Sequence, residues 1–327
     1  MTKEESGRKK PSFFSVSAFK ETGEGTIKRI MGPGFSGAAA EVTFWLLLSM
    51  APASILLAQL LRFFTISMDA AKNVLSAYLA EEVYEIIGPL LDYSSRRGIT
   101  VMFIILALWA GSSAVFSLMR IINQAYGLVP KTSSTIKHYI LDRFRAILMT
   151  LLILVAIIFA LYILVYGEII IQSAISYSNN FLGVEYTFSS IWYGARWLIA
   201  FMLFFVMVFS IYYFLARSGV VYRKHFTKSK LATVKRVLRV WLKNRRREYM
   251  RAIPGTLFSS ITILIATRIY TYFVQNVAHN NINIIYGGLS SVVVLLIWFY
   301  VISLILIIGA QVNASYAEYV SRSEASS

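Results

Sequence analysis

The sequence predicts an all-α polytopic membrane protein with six transmembrane helices and both chain ends in the cytoplasm. Three observations carry that prediction. Of the 327 residues, 57% are hydrophobic and only 15% charged, against about 45–50% apolar and about 25% charged in a soluble domain. Mean hydropathy is +0.63, and the charges cluster, leaving long stretches almost free of them. The 32 Lys and Arg against 16 Asp and Glu crowd into particular connections. This pattern excludes an ordinary soluble globule, a disordered chain and a disulfide scaffold. The absence of cysteine excludes thiolate zinc sites, iron–sulfur clusters and cysteine nucleophiles.

The elements follow in order. Residues 1–37 are largely polar, include the basic run Arg8-Lys9-Lys10, and lack the apolar core and cleavage site of a signal peptide. Within them, Phe14, Val16, Phe19, Ile27 and Ile30 are spaced among polar residues, which suits an interfacial amphipathic helix over 13–31. A helix rising about 1.5 Å per residue needs about 20 apolar residues to cross a core of about 30 Å. Six runs qualify: 38–61, 99–119, 146–166, 197–216, 253–277 and 286–310. Backbone groups cannot go unpaired in lipid, so runs this long must be helices. They form a membrane domain over 38–319, followed by a cytoplasmic tail, 320–327. An acidic insertion at about 67–95 is expected to be helical and extracytoplasmic, with Val74, Tyr78, Ile86 and Leu90 covering the bundle or binding a partner.

Orientation follows from the basic residues. The N-terminal segment, the connection after the second run (Arg120, Lys131, Lys137, Arg143, Arg145) and above all residues 217–251 are strongly basic. The connections after the third and fifth runs are nearly free of Lys and Arg. One assignment puts every basic connection inside, with both termini cytoplasmic. In 228–251, Leu231, Val234, Leu238, Trp241 and Leu242 recur at helical spacing. Lys235, Arg236, Arg239, Lys243, Arg245, Arg246 and Arg247 fill other positions, so an in-plane helix on anionic head groups is expected. Base-stacking aromatics are sparse there, and no nucleic-acid partner is expected.

Several strings occur in a fixed order: Ala38-Ala39-Ala40 and Ser49-Met50-Ala51-Pro52, then Leu108-Trp109-Ala110, Met119-Arg120 and Asn123-Gln124-Ala125-Tyr126-Gly127. Pro254-Gly255 follows, then Tyr286-Gly287-Gly288-Leu289, Trp298, and Gly309-Ala310-Gln311-Val312-Asn313-Ala314. Over about 13–319 this order resembles the YihY/BrkB family of bacterial inner-membrane proteins, once labelled ribonuclease BN, a label regarded as a misassignment. The chain departs from the family at Glu41, where small or apolar residues usually continue. The resemblance implies an inner-membrane location, an envelope function and, for some members, movement of lipid or lipopolysaccharide.

The residues themselves argue against covalent chemistry. His138, His225 and His279 have no partner at metal-ligand spacing, the acids expected inside are scattered, and no phosphate-binding glycine loop is present. No metal, cofactor or enzymatic activity is expected. Polar groups inside spans are costly and mark sites or structural pairs. Glu41, Arg120, Asn123, Gln124, Gln311 and Asn313 all fall near the cytoplasmic ends of their spans and are expected to form one cluster at the inner head groups. Arg268 lies about 22 Å from the cytoplasmic start of the fifth span, too deep to pair with Glu41.

These residues are candidates for binding lipid at two depths. The competing reading is a structural Glu41–Arg120 pair with Arg268 as an interfacial anchor. Pro52 should kink the first span, with Ser49 engaging a freed carbonyl. Small residues at 107, 110, 111 and 114 should permit close helix approach. Arg120-Ile121 and Arg268-Ile269 are a lead toward two inverted halves. The expected function is handling or transport of an anionic envelope lipid. A membrane scaffold that recruits an envelope-assembly partner is the alternative, and a ribonuclease is remote.

Overall fold

The computed structural model describes residues 16–32, 35–63, 68–78, 81–92, 97–127, 136–181, 185–216, 234–274 and 290–325. Among these, every regular element is helical: α1 (Val16–Ile30), α2 (Phe35–Phe63), α3 (Met68–Tyr78), α4 (Glu81–Asp92), α5 (Arg97–Ala125), α6 (Ile136–Phe181), α7 (Glu185–Leu215), α8 (Val234–Phe273) and α9 (Ser290–Ala325). Five of them, α2, α5, α6, α8 and α9, contain a stretch long and apolar enough to cross a bilayer. In α7 the corresponding described stretch, Phe201–Leu215, is shorter.

Three helices run well past the apolar stretches that define their spans. With 46 residues, α6 is about 69 Å long, so the first part of the connection expected after 166 continues the helix. The basic stretch and the fifth span, expected as two elements, form the single 40-residue helix α8 with Pro254 inside it. Backbone hydrogen bonding is local, so a flank with no proline simply extends a helix that the membrane has already nucleated. The tail expected after 319 likewise belongs to α9, which ends at Ala325.

The core is built where helix ends of opposite direction meet. At the basic end it gathers Ala39 and Val42 of α2, Leu118 and Ile122 of α5, Val208 and Tyr212 of α7, Ala252 of α8, and Ile307 and Ala310 of α9. At the other end α3 and α4 fold down onto the bundle. Leu75 packs with Leu61 and Leu161, and Ile87 with Met50 and Leu295. Leu91 of α4 is fully buried. The insertion thus uses Leu75, Ile87 and Leu91 on the bundle; the side chains of Val74, Tyr78 and Ile86 lie outside the described ones.

Small residues set the helix separations. Ala107, Ala110 and Ala114 are buried, and a Cβ on Gly111 would come within 3.1 Å of Thr150 on α6. α2 continues through Pro52. Ser49 donates to the Leu46 carbonyl (2.9 Å) and Ser54 to the Met50 carbonyl (2.9 Å). Neither takes the Leu48 carbonyl that Pro52 leaves without its usual partner, so the expected role of Ser49 is not the one observed. α5 ends on Gly127, whose φ of 67° places it in the left-handed region that closes helices. Its N–H donates to the Gln124 carbonyl at 2.9 Å.

Candidate functional site

The basic end of the bundle holds the candidate polar residues, but they take separate partners. Arg120 of α5 donates to the Glu41 carboxylate of α2. The two side chains stay 58% and 37% exposed, so the pair sits on the flank of the α2–α5 contact. Asn123, one turn on, is buried. It donates to the Met119 carbonyl (2.8 Å) and to the last carbonyl of α7, Leu215 (3.3 Å). Gln124 is exposed.

Asn313 is fully buried and accepts the Gly255 N–H at 2.6 Å. Among the described residues its amide nitrogen has no hydrogen-bond partner, nor does the Gln311 side-chain oxygen. The expected single cluster is therefore a stratum of separate contacts. Asn123 and Asn313 are helix clamps directed at backbone, each amide reaching a backbone group of a neighbouring helix: the Leu215 carbonyl at the end of α7 and the Gly255 N–H of α8.

Arg268 lies on an outward strip of α8. Its exposed neighbours at helical spacing are Leu264, Ile265, Ile269 and Tyr272, which matches a lipid-facing surface. It stands about 27 Å along the helix from Met250. The two Arg-Ile pairs do not share an environment: Ile121 is buried and Ile269 exposed. For Lys235, Arg236, Arg239, Lys243, Arg245, Arg246 and Arg247 the backbone lies in α8, while their side chains, with residues 228–233, lie outside the described ones.

Sequence reasoning missed the densest polar node. Tyr212 of α7 donates to the Leu306 carbonyl of α9 (2.7 Å) and its hydroxyl lies 2.7 Å from Ser259 Oγ of α8. Ser259 also reaches the Ile305 carbonyl at 3.2 Å. Around it, a Cβ on Gly309 would fall 2.0 Å from Ser259 Oγ, and one on Gly255 would fall 1.9 Å from the Gly309 carbonyl. Three helices are thus locked by hydroxyls over two glycines. The glycines stood in the quoted strings, but one tyrosine among 20 carries no local mark of such a role.

A second missed contact joins α1 to the bundle. Arg29 donates to the Ala125 carbonyl at the C-terminus of α5 and to Glu318 of α9 at 2.9 Å. Arg322 engages the other oxygen of Glu318. Glu318 lies about 12 Å beyond Ala310 on α9, the last residue of the run 286–310 read from the sequence. The Arg29 hydrogen bond holds its carboxyl below the usual carboxylate range. Beside this contact is a cavity of about 470 Å³, bordered by Glu21, Glu24, Lys28 and Ser315 among others. The interfacial helix expected at 13–31 is therefore docked on α9, with Phe19 and Met31 left exposed.

The family profile described as "Virulence factor BrkB" matches residues 26–327. The chain belongs to the BrkB family. That match takes in the Glu41–Arg120 pair, the Gly255–Gly309 crossing and Asn313, and with the apolar helices it makes this BrkB-family chain a multi-pass membrane protein of all-α fold. It is also similar to the ribonuclease-like protein YfkH of Bacillus subtilis (strain 168). The two are 25% identical over 279 residues, covering 84% of this chain and 88% of that protein. No solved structure matches the chain.

Proposed function

We propose that this BrkB-family protein sits in the bacterial inner (cytoplasmic) membrane with both termini inside. There it handles or transports an anionic envelope lipid, a phospholipid or a lipopolysaccharide-related one, without covalent chemistry. The observation that carries the reading is the exposed Glu41–Arg120 pair. A carboxylate and a guanidinium on the flank of two spans, at the depth of the head groups, form a mixed-charge contact that a lipid phosphate can enter by competing for Arg120. Arg268, facing outward at another depth, adds a cation where anionic head groups would pass.

The competing readings have less support. A scaffold that recruits an envelope-assembly protein would do so through apolar side chains of 67–95, of which the described Leu75, Ile87 and Leu91 pack on the bundle. A metal-assisted nuclease would need gathered ligands. Among the described residues no three His, Asp or Glu side chains are placed to hold an ion. His225 and His279, and the His138 side chain, lie outside the described part.

The test is reconstitution into liposomes carrying a fluorescent phosphatidylglycerol, with movement between leaflets followed by quenching from outside. The wild-type protein should accelerate exchange, and Arg120→Gln should slow it several-fold at equal incorporation. Exchange no faster than in protein-free liposomes would refute the reading.

A further inference from the structure

We infer that a groove between α6 and α7 is a seat for one acyl chain of an inner-leaflet anionic phospholipid, with Arg145 as the cation at its mouth. The groove encloses about 620 Å³, within the usual range of ligand sites. Met149, Ile153 and Ala156 line it from α6, and Phe159 of α6 with Val206 and Phe214 of α7 edges it. Its one hydroxyl, Ser210, already donates to the Val206 carbonyl at 2.7 Å, so the surface offers a ligand mainly apolar side chains. Only 22% of the apolar stretch of α6 is buried inside the protein, against 39% in each of the other four spans. This is the flank that membrane lipid must cover.

Length and charge choose the occupant. From Met149 to Ala160 the groove follows α6 for about 16 Å, close to the depth of one leaflet, about 15 Å. Arg145 precedes Met149 by four residues and so lies one turn beyond the mouth on the same face. Its neighbour Arg143 is committed inward, donating to Ser113 Oγ at 3.0 Å and lying over the Phe116 ring. Among the described residues Arg145 is paired with Asp142 of its own helix at 3.7 Å, and it is 48% exposed. A phosphate bonded there places its chain in the groove.

The inference rests on the lipid-handling reading for its orientation, but it is tested separately. The protein in nanodiscs is irradiated with phosphatidylglycerol bearing a diazirine midway along one acyl chain, and the labelled residues are mapped. Label should concentrate on 149–160 and 203–214. Ala156→Trp, which fills the groove, and the milder Ala156→Leu should reduce that label at least five-fold and about two-fold, without changing label elsewhere. Arg145→Gln should weaken competition by unlabelled phosphatidylglycerol, relative to phosphatidylcholine, by about five-fold, the value of one cation near a membrane surface. Label spread evenly over all outward helices, or unaltered in both Ala156 variants, overturns the inference. So does exclusion of label by a dimer that crosslinks through position 156. A labelled groove in a protein that moves no lipid would remove the transport reading and leave the seat standing.

Discussion

Asn313 of α9 accepts the backbone N–H of Gly255 of α8 at 2.6 Å, with its side chain fully buried. Pro254, just before, has no N–H and its ring crowds the preceding turn, so α8 has a weakened ladder where it crosses α9. Asn313 gives the adjacent Gly255 N–H an acceptor from outside the helix. Asn313→Leu should leave a buried N–H unsatisfied and cost roughly 1–3 kcal/mol. Gly309→Ala should cost at least about 1–3 kcal/mol by overpacking, since its Cβ would meet Ser259 and Tyr212. Thermal melts in detergent, followed by tryptophan fluorescence, should show both variants melting lower and Gly309→Leu failing to accumulate.

The hydroxyl node beside this crossing should behave cooperatively. Tyr212→Phe removes the bond to the Leu306 carbonyl and the contact with Ser259, but Ser259 keeps Ile305 as an acceptor. The expected loss is about 0.5–1.5 kcal/mol. A double-mutant cycle with Ser259→Ala should give a coupling of about 0.6 kcal/mol, and no more than about 1.7. A coupling of zero would mean that the two hydroxyls act independently.

The membrane class and the apolar runs were legible because a bilayer imposes one requirement, about 20 apolar residues per crossing, that any composition scan detects. Helix ends were not. The extension of α6 to Phe181 and the fusion of the basic stretch with the span in α8 depend on local hydrogen bonding that polar flanks neither forbid nor announce. The same limit applied to the site. Glu41 and Arg120 stood out because charge inside a span is costly, and the structure does pair them. Asn123 and Asn313 are visible in the sequence as polar residues, but each also reaches a backbone group of another helix, which no residue spacing encodes. Tyr212 and Arg29 gave no signal, since a tyrosine in a span and an arginine at a helix end are both ordinary.

The Glu41–Arg120 pair separates a structural role from a lipid-handling one. Exposed pairs contribute about 0–1 kcal/mol, so Glu41→Gln and Arg120→Gln should each leave the melting temperature nearly unchanged. If the guanidinium engages phosphate, freeing it in Glu41→Gln should tighten binding of phosphatidylglycerol, whereas Arg120→Gln should weaken it. A purely structural pair predicts the same small effect from both variants. Native mass spectrometry of retained lipid distinguishes the outcomes.

The docking of α1 should depend on pH through Glu318. Arg29 and Arg322 both bond its carboxylate, and the Arg29 bond holds its carboxyl below the usual range. A carboxyl depressed in the docked state favours docking wherever it is ionised. That contribution is fully present above its unperturbed value, about 4.3, and is lost as pH falls through the depressed value. The chain has no cysteine, so a pair introduced as Lys20→Cys and Ser323→Cys can carry spin labels without background. The distance distribution should stay narrow from pH 8 to about 5 and broaden on further acidification. Glu318→Gln should already be broad at pH 7 and vary little with pH. Arg29→Gln should broaden it more than Arg322→Gln, because only Arg29 bridges helices, reaching both Glu318 and the Ala125 carbonyl, while Arg322 shares its helix with Glu318. A distribution that stays narrow in Glu318→Gln would show that α1 is held by apolar contact alone.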